Sequence, residues 1–95
     1  MINIDINIFT VKHPAVIQLR GNYKKIEGIL EKLENVEIVR EKYGIDIYFE
    51  DVNEARMLIS KIKKLFDLEM KSGTKYAGLR KGKVRWFFAY SLRIK

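Results

Sequence analysis

The chain has no cysteine. Disulfides, thiolate zinc sites and cysteine nucleophiles are therefore excluded, and the composition fits a reducing cytoplasm. Proline and histidine occur once each, as the neighbours His13 and Pro14. A catalytic base needs a partner that this sequence does not announce, so His13 reads as a surface or turn residue. There is no run of about 18 apolar residues, so no membrane-crossing helix is expected. The opening Met1-Ile2-Asn3-Ile4-Asp5 lacks the basic and apolar regions of a signal peptide. No carboxylate pair, metal cluster or Walker pattern stands out. The expectation is a protein that is not an enzyme, with no cofactor, no metal, no membrane and no small-molecule substrate. Gly73, Gly78 and Gly82 read as ordinary turn chemistry.

Acidic residues are missing from the last quarter. Met1 to Met70 holds 11 Lys/Arg against 12 Asp/Glu, whereas Lys71 to Lys95 holds 8 Lys/Arg and no acid. The whole net charge of +7 therefore lies after Met70. A local positive field of this kind suits a polyanion, through phosphate contacts and release of condensed counterions. The bland reading is a surface with an uneven charge mix.

What is present is apolar and regularly spaced. Hydrophobic residues make up 47% of the 95, enough for one core in a single domain spanning 1–95. The richness in Ile, Lys and Glu leans toward a thermophilic source. Ile2, Ile4, Ile6 and Ile8 alternate with polar residues, which predicts a strand with one buried face. His13-Pro14 interrupts it, and Ala15 to Arg20 resumes as strand, the two being one bent strand or two separate ones. Tyr23, Ile26, Leu30 and Leu33 form the stripe of a helix running from Gly21-Asn22 to Glu34-Asn35. Gly28 within it is read as a point of close packing on a sheet.

Val36–Glu41 and Ile45–Glu50 predict a hairpin around Lys42-Tyr43-Gly44. Asp51 is a candidate N-cap, with Glu54 where a capping-box acid belongs. Val52, Ala55, Leu58, Ile59, Ile62, Leu65 and Phe66 form the apolar face of a second helix. Leu68–Thr74 reads as a strand, Tyr76–Gly82 as a basic turn region and Val84–Ile94 as a long final strand. The expected fold is α+β: a two-layer sandwich, two helices on one face of a mainly antiparallel sheet, in the order βαββαββ.

Function points to the segment Lys71 to Arg85. Small residues there keep side-chain bulk low, so amides and long cations can both approach phosphates. Lys71, Lys75, Arg80, Lys81, Lys83, Arg85 and Arg93 are the candidate phosphate contacts. Tyr76 is a candidate for stacking on a base or capping a ribose. Phe87 and Tyr48 either form a stacking platform on the helix-free face or are covered there. Trp86, of the opposite parity, is expected in the core beside Val84, Phe88 and Tyr90, under Leu58, Ile62 and Leu65.

The stretch Gly44-Ile45-Asp46-Ile47-Tyr48-Phe49, followed by a helix with Ala55, Lys71-Ser72 and the strand Phe88-Ala89-Tyr90-Ser91-Leu92-Arg93-Ile94, resembles one known family. It is similar to the middle domain of the ribosomal large-subunit export adaptors, the family named after nonsense-mediated decay. Val16-Ile17-Gln18-Leu19-Arg20 fits the start of that domain. That domain is in turn similar to the eukaryote-type L-twenty-two ribosomal proteins, whose basic helix and final strands contact ribosomal RNA. The adaptors also carry zinc-binding Cys-x-x-Cys pairs and further β domains. This sequence has no cysteine, so neither zinc binding nor the export role is carried over. The resemblance implies a free-standing archaeal ribosomal or ribosome-associated protein. Its expected partners are ribosomal RNA of the large subunit and ribosomal proteins. Two rival readings remain open: a protein-interaction module dimerising through its open sheet face, and a general binder of duplex DNA.

Overall fold

The alternating segments become a five-stranded sheet in the computed structural model, which describes residues 13–80 and 82–95, without the side chains of residues 77, 79, 80 and 83. Strand β1 (Ala15–Gly21) leads through a 3-10 turn (Tyr23–Ile26) into α1 (Glu27–Leu30). Then follow β2 (Val36–Glu41), β3 (Gly44–Phe49), α2 (Val52–Leu65), β4 (Leu68–Arg80) and β5 (Lys83–Ile94). The sheet order is β2-β3-β1-β5-β4. The Ile2–Ile8 row lies outside the described residues.

The class is α+β, as the periodicities predict, but the sheet is mixed. β1 runs antiparallel to β3, with Ile17 opposite Ile47, and parallel to β5, with Ile17 opposite Tyr90. The parallel pair follows from what α2 does. It leaves the end of β3, crosses the sheet and starts β4 in the direction of β3, as a strand–helix–strand crossover must. The β4–β5 hairpin then turns β5 back alongside β1. The mainly antiparallel layout expected from the short links holds for three of the four strand pairs, and the parallel β1–β5 pair departs from it.

One face of the sheet carries the main core. Ala15, Ile17 and Leu19 of β1, Ile45, Ile47 and Phe49 of β3, and Leu92 and Ile94 of β5 are buried there. Ile26 and Leu30 from the first helical segment cover them, with Ala55, Leu58, Ile59 and Ile62 from α2. Asp51 starts α2 as its N-cap, its carboxylate accepting from the Asn53 amide at 2.8 Å. Lys63 and Lys64 fall in the last turn, where cations complement the helix dipole.

The first helix is shorter than its apolar stripe suggests: one 3-10 turn and then one α-turn. Its N-cap Asn22 makes no side-chain cap bond, Gly28 weakens the interior, and Asn35 bends the chain away at a φ of 58°. A Cβ at Gly28 would meet nothing, so that glycine serves no close packing on the sheet.

The final strand has the expected parity and a different reach. Phe88 and Tyr90 pack against the main core, and Arg56 of α2 lies over the Phe88 ring and donates to the Tyr90 hydroxyl. Trp86 is 51% exposed and Val84 54%, so neither is core. Leu65, at the end of α2, is also exposed and does not cover them. The cause is length: β5 has 12 residues and β1 only 7, and β1 meets β5 only from Phe88 onward.

Candidate nucleic-acid interface

Beyond Phe88, the described residues pair β5 with β4 alone. Lys75 stands opposite Phe87, Tyr76 opposite Trp86 and Arg80 opposite Lys83. The Tyr76–Gly82 region is thus strand as far as Arg80. Gly82 there has a φ of 76°, a left-handed conformation natural to glycine. Gly78, at a φ of 102°, sits where the register shifts between Tyr76 and Gly78. Such a bulge sharpens the twist of a two-stranded ribbon. Gly73 lies inside β4 opposite Ala89 and is not a turn residue.

Alternation sorts the candidate residues onto faces. Lys71, Lys75, Arg85 and Arg93 share the parity of Phe87 and Ala89, so all four belong to the helix-free face. Lys71, Lys75 and Arg93 are exposed and Arg85 is half-buried. From Arg85 to Arg93 the row spans about 26 Å at strand rise, the length of several nucleotides. Lys81 lies outside the described residues, as do the side chains of Arg80 and Lys83; the backbone pairs Arg80 with Lys83 at the end of the arm.

The opposite edge of the same face is acidic. Glu37 and Glu41 of β2, paired with Tyr48 and Gly44, share its parity and are exposed. Between the two edges, Arg20 holds Asp46 at 2.9 Å. The face therefore runs from negative at β2 to mainly positive at β4 and β5, where Glu69, opposite Arg93, is the acid on that side, and the positive end suits phosphates.

One open aromatic reading is settled and one expectation is reversed. Phe87 is buried with Val16 and Ala89, and half-buried Tyr48 packs against them. His13 is buried too, 6.1 Å edge-on to the Tyr48 ring, and is not a surface residue. Phe87 thus offers no stacking platform. The exposed aromatics are Tyr76 and Trp86, in edge contact at 5.9 Å on the other face of the arm. Sequence parity placed Trp86 beside Phe88 correctly but could not show where the helices end. The one available signal was strand length: a final strand far longer than its neighbours must overhang them.

Among the described residues, no group of three His, Cys, Asp or Glu side chains is placed to hold a metal. No helix among them is long and apolar enough to cross a membrane.

The family model for the NMD3 second domain matches residues 12–94. The chain belongs to the NMD3 family. The NMD3 match takes in the whole arm and both helices, and the family's export adaptors of the large ribosomal subunit make a ribosome-related role consistent with it. No curated protein matches the chain.

The NMD3-like motif Gly44–Phe49 is explained by packing. Ile45, Ile47 and Phe49 are core. Asp46 is the partner of Arg20. A Cβ at Gly44 would collide with the Leu19 carbonyl and the Arg20 guanidinium, so only glycine fits. The motif builds the domain.

Proposed function

We propose that this domain binds ribosomal RNA of the large subunit through the β4–β5 arm, as a structural or assembly component and not as an enzyme. The carrying observation is the row Lys71, Lys75, Arg85 and Arg93 on one face, in a segment without a single acid. A row of cations on a protruding ribbon reaches phosphates without moving the core, and counterion release then supplies affinity. Membership in the NMD3 family supports the large subunit as the source of that RNA.

The dimer reading is weakened by burial. The apolar residues that such a contact would use, Val16, Phe87 and Ala89, are already covered. Duplex DNA offers the same phosphate charge and is separated only by competition. Sedimentation of the full chain with purified ribosomal subunits tests the proposal. Retention on the large subunit, lost on raising salt and not restored by competing duplex DNA, is the expected result. Absence from the large-subunit fraction at low salt contradicts it.

A further inference from the structure

The arm has two chemically different faces. Lys75 and Arg85 share the helix-free face. Tyr76 and Trp86 share the other, 50% and 51% exposed, directly opposite each other in the register and in edge contact. Val84 continues that face toward the tip and is 54% exposed. An apolar patch this far from the core gains nothing for folding. It also lies beyond Phe88, over whose ring Arg56 of α2 sits. Large exposed aromatics in such a place mark a contact surface.

We propose that Tyr76 and Trp86 form a stacking platform for unpaired bases, so that the arm recognises single-stranded or looped RNA in preference to regular duplex. The inference rests on the RNA-binding reading and names the kind of RNA. Charge complementarity decides for RNA over an apolar protein partner. The platform is carried on a ribbon whose charged residues, from Lys71 to Lys95, are all cations. An apolar protein contact would leave those cations against a partner with no stated reason to be acidic. The geometry also favours unpaired bases over duplex. In A-form RNA the base faces are stacked on one another and out of reach. In a loop or single strand they are free to lie on aromatic rings while the phosphates turn toward cations. A two-residue-wide ribbon with rings on one side and cations on the other matches that arrangement.

Trp86 is the chain's single tryptophan, so its fluorescence, excited selectively, reports this site alone. The full-length protein is titrated with a short oligoadenylate and with a blunt RNA duplex of equal phosphate number. Oligoadenylate should quench Trp86 emission at saturation, and the duplex should leave it nearly unchanged. With end-labelled RNA, Trp86→Ala should weaken oligoadenylate binding roughly 5- to 100-fold, the range for loss of one stacked base. It should leave duplex affinity within about twofold, since phosphate contacts persist. Trp86→Phe should recover most of the loss. Binding of both RNAs without quenching, or equal weakening of both by Trp86→Ala, overturns the platform. The aromatic pair is then a protein-contact surface or a brace for the arm. Failure of the wild-type protein to bind either RNA at low salt overturns the RNA-binding reading itself, and the platform with it.

Discussion

The sheet body and the β4–β5 arm are built from the same strand grammar and have opposite properties. In the body, β1 is flanked on both sides, its Ala15, Ile17 and Leu19 lie under two helices, and its Arg20 is paired with Asp46. In the arm beyond Phe88, the described residues pair β4 with β5 alone, aromatic rings are half exposed, and every charged residue from Lys71 on is a cation, Glu69 at the start of β4 being the nearest acid in sequence. An isolated two-stranded ribbon is marginal by itself, so the arm depends on the body for its shape. The body needs only the inner half of β5, where Leu92 and Ile94 are core, and not the part of the arm beyond Phe88. Substitutions in the first region should change stability and spare RNA binding, and those in the second should do the reverse.

The largest stability effect is expected from Ile62→Ala. Ile62 is fully buried under the sheet, and such truncations cost about 2–5 kcal/mol. Denaturant unfolding should show that loss, while RNA affinity of the folded fraction stays the same. A parallel loss of affinity would mean that the arm is not an independent surface. Gly44→Ala comes next. Its new methyl would press on the Leu19 carbonyl, and overpacking of that kind costs about 1–3 kcal/mol. Unchanged unfolding would show that β1 and β3 can separate there, against the tight pairing described. Arg20→Ala should cost roughly 1–3 kcal/mol by leaving Asp46, 8% exposed, without its partner. Arg20→Ala/Asp46→Asn should recover part of that loss in a double-mutant cycle. Arg80, Lys81 and Lys83, replaced together by Ala, should change stability least, within roughly 0.5 kcal/mol each.

Most of the body was legible in the sequence because its signals are local and repeated. Alternation at Ile45, Ile47 and Phe49, the i, i+3, i+4 stripe of α2, and Asp51 before Val52 each predict the observed element. The parallel pairing of β1 with β5 was not legible, because it depends on where α2 delivers the chain and not on any residue of either strand. The exposure of Trp86 was hidden for a similar reason. Parity assigns a face, whereas burial depends on what covers that position, and Trp86 and Val84 are more than half exposed. Phe87 was open to two readings, since an aromatic on a helix-free face can be covered by other parts of the chain. For the candidate site, charge alone picked out the right segment. The sorting of Lys71, Lys75, Arg85 and Arg93 onto one face required the β4–β5 register.

The central claim is that phosphates contact the arm and not the molecule's positive charge at large. It is tested most directly by the salt dependence of RNA binding in two charge-matched variants. One replaces Arg80, Lys81 and Lys83 with Ala. The other replaces Lys61, Lys63 and Lys64, exposed on α2, with Ala. For the arm variant, the slope of log affinity against log salt should become shallower by about 2–3, at roughly 0.7–0.9 per lost phosphate contact. The α2 variant should keep the wild-type slope. Equal slopes in the two variants would contradict the account, because the binding would then follow net charge and no surface.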